Sequence, residues 1–189
     1  MRFNRFALTL GLLLGALLLP SASFAQSAHP TFVAEMNGFE EVPGAATLAS
    51  GFAGLQVGMN DQTVYYTITV TDASAQLVAA HLHFAPHGEA GPVVVPLCTA
   101  DSKPCQTEGV VTQGSFTAAD FTGPFANDSL NRLISEARNG MVYANVHSTK
   151  FATGEARGQL VDLGAMMHMI EPAMEEPPMG PMDEPDMQH

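Results

Sequence analysis

Val64-Tyr65-Tyr66-Thr67-Ile68-Thr69-Val70-Thr71 decides the fold class. Val64, Tyr66, Ile68 and Val70 alternate with Tyr65, Thr67, Thr69 and Thr71, the two-residue period of a half-buried strand. Working outward, further strands are expected at Thr31–Met36, Ala49–Val57, Leu77–Phe84, Val93–Leu97, Gly109–Phe116, Met141–His147 and Glu155–Leu163. Gly, Pro, Asp or Asn punctuate most of the gaps between them. Roughly eight short strands predict an all-β domain, an antiparallel sandwich or barrel. One short helix is expected near Ser129–Asn139, where Leu130, Leu133, Ile134 and Ala137 repeat at helical spacing. Asp128 or Ser129 would cap it and Gly140 would stop it.

The flanks differ from this domain. Arg2 and Arg5 precede an apolar run, Ala7–Leu19, broken by Pro20 and followed by Ser23-Phe24-Ala25, which places small residues where a signal peptidase reads. Residues 1–25 therefore read as a signal peptide, too short for a comfortable membrane span, with the mature chain starting at Gln26. No Cys follows the apolar run, which argues against a lipid anchor. The expectation is a periplasmic or secreted protein with no membrane attachment after cleavage. In such a compartment Cys98 and Cys105, bracketing a short polar loop, read as a local disulfide. Residues 26–163 form the folded domain. From Gly164 to His189 the composition changes to seven Met, two His, six acids and five Pro with no Lys or Arg, and this stretch reads as a disordered acidic tail.

Charge narrows the function. The 189 residues carry 7 Lys+Arg against 19 Asp+Glu, a formal net charge of -12. That excludes an ordinary nucleic-acid binder, which needs a basic stripe, and disfavours docking on anionic lipid. Apolar residues at 46% against 14% charged predict that most of the chain folds.

Ala80-His81-Leu82-His83-Phe84-Ala85-Pro86-His87-Gly88 carries the chemistry. Residues two apart on a strand share a face, so His81 and His83 point together. Two neutral imidazoles form half of a copper or zinc site. His147 ends another strand and would join them if the strands are neighbours, with His87 a further ligand beyond Pro86. The alternatives are hydrogen-bonded core histidines, a solvated face or a pH-sensitive patch. The tail points to copper in particular. Met166, Met167, His168 and Met169, then Met174, Met179, Met182, Met187 and His189, offer the thioether and imidazole donors that suit Cu(I). A solubilising tail and methionines that scavenge oxidants are the other readings. Gly-rich phosphate loops, a Gly-X-Ser-X-Gly elbow and facing carboxylate pairs do not occur in the sequence.

Several segments resemble the CHRD domain family, named after chordin: Phe39-Glu40-Glu41-Val42-Pro43, Ala80–His83, Gly91–Leu97, Gly140–Ser148 and Gly154–Leu160, in complete order over about Thr31–Leu163. Phe84 departs from it, a small residue being expected after His-X-His. The resemblance implies an extracytoplasmic β-sandwich and says little about activity. A weaker one is to the copper/zinc superoxide dismutases, through the order His81, His83, His147, Arg157. It implies a Greek-key sandwich, copper on the three histidines and Arg157 as a guide for an anionic substrate. The dense His/Asp zinc loop of those enzymes has no counterpart here, and Arg157 has the alternative fate of pairing with Glu155 or another carboxylate.

Three functions follow as expectations. The leading one is an exported copper-binding protein that buffers or delivers copper, with another periplasmic copper protein as partner and zinc as the alternative ion. The others are a superoxide dismutase-like enzyme and a non-metal module that binds protein or glycan.

Overall fold

The computed structural model describes residues 31–170. The expected leader lies outside the described residues, as do Met174, Met179, Met182, Met187 and His189 of the tail. The described chain forms β1 (Thr31–Asn37), β2 (Ser50–Val57), β3 (Val64–Thr71), β4 (Leu77–Phe84), β5 (Val93–Thr99), β6 (Gly109–Phe116), α1 (Leu130–Arg138), β7 (Val142–Ser148), β8 (Ala156–Gln159), β9 (Val161–Asp162) and α2 (Leu163–Ile170). Every strand pairing is antiparallel.

The strands run β5-β4-β7-β8-β1-β2-β3-β6, with β9 also on β1. Two four-strand halves are thus joined where β1 meets β8, at Asn37 opposite Arg157, and β9, at Phe32 opposite Asp162. The outermost strands approach each other: Tyr66 Oη and Thr112 Oγ1 both donate to Leu97 O across the gap. The expected sandwich is therefore a single, nearly closed antiparallel sheet folded over one core.

Alternation builds that core. Val64, Tyr66, Ile68 and Val70 of β3 are buried, whereas Tyr65 and Thr71 are exposed. Ala80 and Leu82 of β4 and Val146 of β7 are fully buried. α1 closes one end of the fold, setting Leu133, Ile134 and Ala137 against Phe32, Leu55, Val57, Val64 and Leu160. Leu82, Val146 and Leu160 each contribute on the order of 1.5–3 kcal/mol by such burial.

Two expectations need correction. The strand expected over Glu155–Leu163 breaks at Leu160, whose N–H donates back to Val142 O. β8 presses so closely on β1 that a Cβ at Gly158 would collide with Glu35 O, and glycine permits that approach. The chain beyond Gly164 is also not irregular from its start, because α2 runs from Leu163 to Ile170. The prolines that forbid a helix begin only at Pro172, and the preceding residues, Ala165, Met166 and Met167 among them, favour one.

Cys98 and Cys105 are joined, as expected, between β5 and the loop to β6. The enclosed loop is short, the partners being 7 positions apart. Replacing both cysteines by Ala should lower unfolding free energy by about 2 kcal/mol through lost loop restraint. Urea unfolding of the oxidised protein and the double variant measures this, and equal midpoints would contradict it.

Candidate metal centre

Because Ala80 and Leu82 enter the core, His81 and His83 occupy the outer face of β4. β7 lies beside it with Ala79 opposite His147, His81 opposite Asn145 and His83 opposite Tyr143. β8 continues the row with Arg157 opposite Asn145. The outer face of three adjacent strands is therefore polar.

Two chain segments cover this face. Arg157 donates from Nε to Glu40 O and from Nη1 to Glu89 O at 2.8 Å, while its guanidinium lies 4.7 Å from the Tyr143 ring centroid. Gln159 Nε2 donates to Ala85 O at 3.1 Å. Glu155, fully buried, accepts from Thr47 Oγ1 at 2.9 Å and from Ser74 N at 2.6 Å. These contacts clamp the 38–48 segment and the 85–92 turn over the face. His83, His147, Asn145, Arg157 and Glu41 are all buried beneath them.

His81, His83 and His147 each offer a ring nitrogen within 4.8 Å of the others. His81 Nδ1 donates to His147 Nε2 at 3.2 Å, since the Nδ1 proton of His147 goes to Ala152 O. His83 donates from Nδ1 to Gly91 O at 2.9 Å and His147 from Nδ1 to Ala152 O at 3.1 Å. Both rings are thereby held in the tautomer whose Nε2 carries a lone pair, and His83 Nε2 has no partner. Main-chain carbonyls that orient imidazoles are the usual support of metal-binding histidines.

Electrostatics agree with this donor set. Burial, reinforced by His147 and His83, lowers the pKa of His81 from 6.5 to about 4. Burial lowers His83 and His147 as well, against the opposing hydrogen bonds to Gly91 and Ala152. Three imidazoles neutral at pH 7 suit a cation, which requires deprotonated ligands. The residues present therefore fit a metal ion such as copper or zinc.

The sequence-derived candidates divide. His81, His83 and His147 converge. His87 does not join them: it is exposed on the rim, with Nε2 2.7 Å from Glu40 Oε2, because the turn after Pro86 carries it away from the strand face. Arg157 reaches the site but turns Nε and Nη1 to carbonyls, and Glu155 bonds Thr47 and Ser74 rather than Arg157. Met166 and Met167 lie on α2 with their side chains exposed.

Two residues escaped the sequence reading. Asn145 sits two before His147 on the same face, a relation the strand period could have revealed. Glu41 comes from the covering segment, where nothing local announces it. Burial raises its pKa from 4.5 to about 7, opposed by Arg157, by a hydrogen bond with Asn145 and by the Val42 backbone.

The family model for the CHRD domain matches residues 32–160. The chain belongs to the CHRD domain family. Curated proteins and solved structures give no significant match. The CHRD match spans the whole clamped face, from Glu41 to Arg157. CHRD domains are extracytoplasmic modules, and the Cys98–Cys105 bond is consistent with export.

The neutral histidines set a pH dependence. Their folded pKa values lie below 6.5, so the unfolded chain takes up more protons and stability falls as pH drops from about 6.5 towards 4. Glu41, raised to about 7, acts oppositely, but one carboxyl faces three histidines. Metal-free protein should have a lower urea midpoint at pH 5 than at pH 7, and Glu41→Gln should widen the difference. Equal midpoints would contradict the buried neutral cluster.

Proposed function

We propose that this CHRD-domain protein is exported to the periplasm, where it binds copper and buffers or delivers it. The reading rests above all on one observation: three neutral imidazoles converge, and two are held by Gly91 O and Ala152 O with Nε2 left as a lone pair. His81, His83 and His147 would hold the ion, and copper would supply redox-active, exchangeable coordination there.

Zinc suits the same nitrogens. Copper is favoured by the donors outside the domain, where Met166, Met167, His168, Met169 and the methionines to Met187 combine thioether with imidazole. A Met/His tail would collect Cu(I), and a second periplasmic copper protein would be the donor or recipient. Export rests on the leader read in residues 1–25 together with the disulfide.

Buffering is preferred to superoxide dismutase-like catalysis because of Arg157. Its guanidinium is buried and donates to Glu40 O and Glu89 O, a structural commitment unlike that of a free anion guide. A non-metal module would bind through its edges and loops, and would not need three neutral imidazoles within 4.8 Å.

The test is titration of metal-free protein with Cu(II) and, under reducing conditions, Cu(I). His81→Ala/His83→Ala should weaken the Cu(II) site at least 100-fold. A chain ending at Ile170 should bind fewer Cu(I) while keeping the Cu(II) site. Stoichiometry and affinity unchanged in both variants would sink the reading.

A further inference from the structure

Among the described residues, the buried side-chain atoms without a hydrogen-bond partner are Glu41 Oε1, His83 Nε2, Asn145 Oδ1 and Glu155 Oε2. Every one is an acceptor. Glu155 belongs to the clamp, its Oε1 tied by Thr47 and Ser74. The other three belong to the histidine face. His83 and Asn145 flank the same row of β4 and β7, and Asn145 lies close enough to Glu41 to lower its pKa. Each such atom costs about 1–3 kcal/mol if nothing donates to it. A cation bound by the imidazoles would satisfy His83 Nε2. It would leave Asn145 Oδ1 and Glu41 Oε1 still in need of a donor.

We propose that Asn145 and Glu41 form a polar wall of the metal centre that holds one small, protic ligand, of the size of water, beside the ion. Asn145 presents Oδ1 as the acceptor. Glu41 is a positioning residue that lies against Asn145 and adds a second acceptor when ionised. Glu41 is not itself one of the cluster whose ligand atoms lie within 4.8 Å of one another. Gly154 makes room for it, since a Cβ there would collide with the Glu41 carboxylate.

This proposal rests on the copper reading and specifies its remaining coordination position.

The experiment uses full-length protein loaded with Cu(II), compared in H2O and D2O by electron–nuclear double resonance, with Asn145→Ala and Glu41→Gln alongside. The wild type should show strongly coupled exchangeable protons at the copper. Both variants should keep one Cu(II) per chain, bind it 10- to 100-fold more weakly and lose or alter that proton signal. Glu41→Gln, on the covering segment rather than a strand, reports independently if Asn145→Ala fails to fold. A wild type that binds Cu(II) without exchangeable protons, or variants with unchanged spectra and affinity, would overturn this proposal alone. A wild type that binds no Cu(II) would overturn it together with the copper reading.

Discussion

The register of β4 against β7 governs everything that follows in this protein. Pairing His81 with Asn145 places every odd-numbered residue from 79 to 83 and from 143 to 147 on one face. A slip of one residue would send His147 and Asn145 into the core and bring Ala144 and Val146 out. The fully buried Leu82 and Val146 resist that slip, so apolar packing inside the sheet fixes the geometry of the polar face outside it.

A polar face of that kind is ordinarily wet. Here it is closed by long-range hydrogen bonds. Arg157 reaches Glu40 O across 117 residues of sequence, and Glu155 reaches Thr47 across 108. The buried guanidinium is satisfied by carbonyls and by the Tyr143 ring, and Glu155 by hydroxyl and amide donors, which keeps desolvation of these charges tolerable. Exclusion of water is what drives the histidines to their neutral form. The clamp and the donor set are thus two consequences of one arrangement.

Much of this was legible in the sequence, and all but one of the failures share a cause. Leu77–Phe84 and Gly109–Phe116 form strands with the bounds their alternation predicts, and α1 differs from its expected span by one residue at each end. The convergence of His81, His83 and His147 follows from period two plus the neighbouring of β4 and β7. Local pattern did not reveal what depends on distant chain: the break at Leu160, the burial of Glu41, or the turn that carries His87 to the rim. Glu41 has no periodic neighbours to betray it, because its surroundings come from Asn145, Gly154 and Arg157. α2 was missed for a different reason, the proline-rich composition after Pro172 having been extended back over residues that contain no proline.

A clamped, neutral three-histidine face on a CHRD domain is the central feature, and the proposal that it is a metal centre is directly measurable. The decisive measurement is crystallography of the copper-loaded protein with anomalous data collected at the copper edge. The expected result is a single strong peak at the domain, within bonding distance of ring nitrogens from His81, His83 and His147. A peak placed elsewhere on the domain, or three imidazoles hydrogen-bonded only to protein with no peak between them, would contradict it.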